Sequence, residues 1–106
     1  MIDRNEQVAA RNELHRIVAL PNLQRSDRLA LGRALSRAGL YAESSAQYRM
    51  TYPLNAGEET HMFYEAVNRY QLGDYGLARQ FMTRAMPVLP QIPAVLAYRD
   101  RILGQQ

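Results

Sequence analysis

The triplet Gly39-Leu40-Tyr41 recurs as Gly73-Asp74-Tyr75, and Pro53 recurs as Pro87, each 34 positions further along the chain. A period of this length marks a repeated supersecondary unit, and a helix pair of that size cannot bury its apolar face alone. Units must stack, so function has to be read from the surface that stacking builds. The composition allows this: 106 residues with 47% apolar and 22% charged side chains suit one globular domain and exclude wholesale disorder.

Helical periodicity runs through the whole sequence, and nothing in it reads as strand. Asp3 with Glu6 fits a capping box, and Val8, Ala10, Leu14, Ile17 and Val18 keep helical spacing until Pro21, which predicts a helix over 4–20. A second is predicted over 25–37, capped by Asn22 or Ser26, with Leu29, Leu31, Gly32 and Leu35 along one side and Gly39 in the left-handed terminal position. The third covers 41–52 and stops at Pro53; the fourth is capped by Asn55 with Glu58 and carries Met62, Tyr64, Ala66 and Leu72 up to Gly73. The fifth covers 75–86. Pro93 suits the first turn of a sixth over 93–103, where its missing N–H costs nothing. Short connections force neighbouring helices antiparallel, and Tyr41 and Tyr75 at equivalent turns are expected to wedge the two helices of each pair.

The period and its residues resemble the tetratricopeptide repeat, or TPR. Leu31-Gly32 followed by Leu35, then Gly39, Tyr41, Ser44 and Tyr48, match the pattern of one unit, with Arg28 where a Trp would stand. In the next unit Met62 takes the Trp place, followed by Ala66, Gly73, Tyr75, Ala78, Met82, Ala85 and Pro90. Glu65 and Arg69 depart from the pattern, at places that are normally apolar and aromatic. The resemblance implies an all-α, right-handed solenoid of antiparallel helix hairpins with six helices in a single domain. Repeats would occupy 25–53 and 57–90, with 4–20 as the second helix of a partial repeat and 93–103 as the first helix of another. A chain that opens on half a repeat is expected to be a piece of a longer array.

In TPR proteins the first helix of each pair lines the concave face where ligands lie. Carried over residue by residue, this implies a groove of Leu29, Arg33 and Arg37 from one unit, Phe63, Val67 and Tyr70 from the next, and Arg101 from the last helix. Exposed aromatic and Arg side chains dominate many binding interfaces, so the expected partner is a peptide or helix carrying apolar and acidic groups. The carboxylate clamp that holds chaperone C-termini is not expected. Leu29, Arg33, Tyr64, Ala94 and Tyr98 stand where it needs Lys, Asn, Asn, Lys and Arg. The implied function is a non-catalytic protein–protein interaction scaffold, in the manner of bacterial TPR modules of secretion or envelope polysaccharide export complexes.

Other chemistries find little support in the residues. There is no cysteine and there are two histidines, His15 and His61, which rules out a Cys–His pair. Glu58, His61 and Glu65 share one helical face at metal-like spacing, but a single Glu-x-x-His falls short of a di-iron set, and a solvated face is the expected reading. No phosphate-binding glycine motif occurs, and neither a cofactor nor a catalytic constellation is expected. No apolar run approaches the length of a membrane span, and the N-terminus lacks the apolar core of a secretory signal. All thirteen basic residues are arginine, scattered along the chain, with a net charge of +3. Two alternatives remain: self-association of half-repeats into a homodimer, and weak nucleic-acid binding through Arg33, Arg37 and Arg101.

Overall fold

The computed structural model describes residues 23–104, together with Val8 and Asn12. Residues 23–104 contain five helices, α1 (Arg25–Arg37), α2 (Tyr41–Arg49), α3 (Glu59–Gln71), α4 (Tyr75–Ala85) and α5 (Pro93–Leu103), and no described residue lies in a strand. The helix expected over 4–20, and Asn22 as a cap, lie outside the described residues.

The repeated triplets become two copies of one turn. Gly39 and Gly73 sit at φ 80 and 85, in the left-handed region that strains any residue with a Cβ. After each glycine the next N–H reaches back five residues, Leu40 to the Leu35 carbonyl at 2.9 Å and Asp74 to the Arg69 carbonyl at 2.8 Å. These are the outer bonds of a Schellman motif, and they reverse the chain within three residues. Each turn therefore folds a thirteen-residue helix back on the one that follows. The starts of α1 and α3, their ends, and the starts of α2 and α4 are each 34 positions apart.

The helix expected over 75–86 ends one residue early, at Ala85, and two further boundaries and one cap differ from those expected for local reasons. The third helix ends at Arg49, short of residue 52, because the Tyr48 carbonyl takes both the Thr51 N–H (2.9 Å) and the Thr51 hydroxyl (2.7 Å), closing the last turn early. The fourth begins at Glu59: the Glu58 carboxylate accepts the Asn55 N–H at 2.7 Å, but in a turn ahead of the helix. For α1 the cap is Gln24, whose N–H donates to Asp27 Oδ2 at 3.0 Å, and not Ser26.

α1 packs on α2 and α3, α3 on α4 and α5, and α4 on α5. The main core runs from Leu29 through Tyr48, Met62, Ala66, Phe81 and Met82 to Val95 and Ile102, and a smaller cluster of Leu31, Leu35 and Leu40 seals the first hairpin. Each such side chain contributes about 1.5–3 kcal/mol by leaving water. Small residues set how closely the helices approach. A Cβ on Gly32 would lie 2.9 Å from Cζ of the buried Tyr48 ring. The wedge expected of Tyr41 and Tyr75 is not formed as a matched pair. Tyr75 is 45% exposed and tilts against Tyr70, with ring centroids 5.7 Å apart. Tyr41, raised in pKa by burial, has the Tyr98 hydroxyl beside it. The backbone turn repeats, but the α-helix faces next to it differ in sequence.

Candidate functional site: a cationic groove and an aromatic strip

Spacing of three and four along α1 puts Ser26, Ala30, Ala34 and Arg37 beside Leu29 and Arg33 on one side of the helix. With His61 of α3 they line an open groove of about 360 Å³. Leu29 and the two alanines supply an apolar floor. Arg33 and Arg37 stand one turn apart, both exposed, and among the described residues no acidic side chain lines the groove. Among the described residues neither arginine has an ion-pair partner.

Arg33 also begins a strip of rings that crosses the molecule. Its Cζ lies 5.8 Å from the centroid of the Tyr64 ring, within cation–π range. Tyr64 meets Phe63 edge to face at 5.4 Å, Phe63 meets Tyr98 of α5 in the same way at 6.1 Å, and Arg101 lies over Tyr98 at 5.9 Å. An arginine thus caps each end of three half-buried rings. Such pairs add about 0.5–1.5 kcal/mol each beyond area burial, which fixes the strip as a preformed surface.

The seven residues expected to form one groove are therefore divided. Leu29, Arg33 and Arg37 share the groove, with Leu29 itself only 8% exposed. Phe63 and Arg101 belong to the strip. Tyr70 lies apart against Tyr75, and Val67, 5% exposed, is held inside and supports the surface from beneath. Sequence reasoning left Ala30, Ala34 and His61 out of the groove and Tyr64 and Tyr98 out of the strip. Helical spacing from Arg33 signals Ala30, and spacing from Arg101 signals Tyr98, whereas His61 and Tyr64 come from another helix and carry no such signal.

Beneath the site the two departures from the repeat pattern explain each other. Glu65 is fully buried, and its carboxylate accepts from Ser45 Oγ (3.1 Å), Asn68 Nδ2 (3.1 Å) and the Tyr52 hydroxyl. Arg69 Nε lies 3.4 Å from Glu65 Oε2, close enough for an ion pair although without hydrogen-bond alignment. Its NH2 donates to the Tyr52 oxygen at 3.2 Å. Burial opposes the Arg69 charge, but Tyr52, Glu65 and Asp74 outweigh it and hold its pKa above the usual arginine value. Burial and the Glu65 carboxylate push the Tyr52 phenol up to about 12. Asn68 extends the network to Ser44 Oγ (2.8 Å), which donates to the Gly32 carbonyl at 2.6 Å. A buried charge persists only when paired and hydrogen-bonded in this manner, and here the partners tie α1, α2 and α3 together.

The face of Glu58, His61 and Glu65 is not the solvated one expected. Glu58 pairs with Arg25 at 2.6 Å, His61 Nδ1 lies 3.1 Å from the Tyr48 hydroxyl, and Glu65 is spent in the network. Desolvation works to raise the Glu58 pKa, but hydrogen bonds from Arg25 and the Asn55 N–H hold it below the ordinary carboxylate value. Among the described residues no group of three or more His, Cys, Asp or Glu is placed to hold a metal ion, and no helix is long and apolar enough to cross a membrane. No family model, curated protein or solved structure matches this chain.

Proposed function

We propose that the chain is a non-catalytic docking scaffold of the tetratricopeptide-repeat kind, part of a right-handed solenoid. It takes a partner peptide or helix with apolar and acidic groups on the side carried by α1, α3 and α5. The observation that carries this reading is the α1 groove, where an apolar floor runs beside two exposed arginines that no described acidic residue neutralises. The strip from Arg33 to Arg101 extends the same surface with aromatic area, the side-chain chemistry that most often anchors a partner. The repeated Schellman turns and the 34-residue offset of the helices support the repeat assignment.

The test is affinity capture of binding proteins by the wild-type chain and by Arg33→Ala, Arg37→Ala and Phe63→Ala, each first shown by circular dichroism to be folded. A partner released by these three substitutions and retained by Gly76→Ala on α4 is the expected result. A partner held equally by all of them places binding elsewhere and overturns the assignment. A second reading, self-association, is favoured by the exposed apolar Val88, Ile92 and Leu103 around α5. Sedimentation equilibrium separates the two: a strict monomer at high concentration eliminates the dimer.

A further inference from the structure

Among the described residues, His61 is the one group in the groove that can change its charge near neutral pH. Tyr48 of α2 offers its hydroxyl to Nδ1 at 3.1 Å, with the rings edge to face at 5.7 Å. Glu58, just ahead of α3, provides the nearest negative charge, and Arg33 and Arg25 of α1 provide positive charge. On its own helix the next acidic residue, Glu65, is engaged in the buried network. Burial holds the Tyr48 phenol well above its ordinary value, so Tyr48 keeps its proton. In the neutral ring one nitrogen donates and the other accepts, and in the imidazolium both donate.

We propose that His61 is a third anion-binding group of the α1 groove, and that docking of an acidic peptide there is coupled to uptake of one proton by this ring. The inference rests on the docking function proposed above and names how that site is regulated. In the unliganded chain the imidazole is kept neutral. Burial lowers its pKa below 6.5, Arg33 and Arg25 act in the same direction, and the one opposing carboxylate, Glu58, is shared with Arg25. A ligand carboxylate seated between Arg33 and His61 supplies the missing negative charge and favours the imidazolium. The ring pKa is then higher in the complex than in the free chain. Affinity therefore rises as pH falls through that interval, and the added affinity is lost as pH rises through the complex's value.

The probe is a synthetic helix-forming peptide of about 12 residues, a length matched to α1, with Leu and Ala on one face and two Glu residues four positions apart at its edge. Isothermal titration at about pH 8 and about pH 5.5, in buffers of different ionisation enthalpy, gives affinity and protons taken up per peptide bound. A one-unit rise in the ring pKa tightens binding by a factor that approaches about tenfold only as pH falls below the free ring's value, with partial proton uptake between the free and bound values. The expected result is tighter binding at the lower pH together with proton uptake, both lost in His61→Gln, whose affinity no longer varies between the two pH values. NMR titration of the His61 ring, free and peptide-bound, reads the same shift without a substitution. Binding that is independent of pH, or a gain that persists in His61→Gln, overturns the proton coupling and leaves the docking function standing. A peptide that fails to bind at either pH overturns both.

Discussion

Two glycine-to-alanine substitutions are expected to move stability in opposite directions, and the contrast measures how tightly the hairpins are packed. Alanine gains about 1 kcal/mol over glycine inside a helix, from backbone entropy alone. At Gly76, near the start of α4, a new Cβ meets nothing within 4 Å, so Gly76→Ala is expected to stabilise by about 0.5–1 kcal/mol. At Gly32 the same Cβ meets three atoms of the Tyr48 ring, Cζ at 2.9 Å, Cε1 at 3.0 Å and Cε2 at 3.1 Å. Comfortable carbon contacts need about 3.5–4.0 Å, so the ring must retreat by roughly half an ångström. It has nowhere to go, since Tyr48 is fully buried and its hydroxyl is held by His61. Overpacking of this kind costs about 1–3 kcal/mol, which exceeds the helical gain. The net is a destabilisation of about 1 kcal/mol, or a Tm lower by about 4–8 °C in a domain of this size. Thermal unfolding followed by circular dichroism gives both values, and Tyr48→Leu completes the test. With the ring gone, Gly32→Ala should turn neutral or stabilising, a coupling visible in a double-mutant cycle. A Gly32→Ala Tm at or above wild type would refute the close approach of α1 and α2.

Further predictions concern the buried network and its titration. Glu65→Leu leaves the donors of Ser45, Asn68 and Tyr52 and the Arg69 charge without their acceptor, and should cost about 3–5 kcal/mol in urea unfolding. Glu65→Gln keeps an accepting oxygen and should cost clearly less; equal losses would show that the carboxylate charge is the sole contributor. The Tyr52 phenol is raised from 10.0 to about 12, so its contribution to stability is complete below pH 10 and lost as pH rises toward 12. Tyr52→Phe should flatten the alkaline limb of the stability curve over that window. For His61 the sign is reversed: its lowered pKa favours the neutral ring, so stability is full above pH 6.5 and falls on acidification below it. His61→Gln should reduce that acid slope.

Much of the fold was legible because it is encoded locally. Gly39 and Gly73 mark turns whose left-handed backbone only the residue itself makes inexpensive, and both appear where expected. Two helices, over 25–37 and 93–103, keep the boundaries expected from periodicity, Gly39 and Pro93, although the cap of the first is Gln24. The early end of α2 was hidden, because the Thr51 hydroxyl bond to the Tyr48 carbonyl competes with the next helical turn and leaves no mark in apolar spacing. The candidate site was legible only in part. The resemblance to the repeat implied a groove containing Leu29, Arg33 and Arg37, but a sequence pattern does not report depth, so Val67 was expected at the surface and lies inside.

The sequence by itself determined the all-helical units, their 34-residue period and the glycine turns, since backbone conformation and helical periodicity depend on neighbours within a few positions. Only the tertiary structure decided what the departures from that pattern do. Glu65 and Arg69 look like errors along the chain and become a paired, buried network once Ser45 and Tyr52 arrive from α2 and the segment after it. The same holds for His61, which becomes part of the groove only when α3 lies beside α1. Charge burial and groove membership are set by distances between residues far apart in sequence, and those distances exist only after the helices have packed.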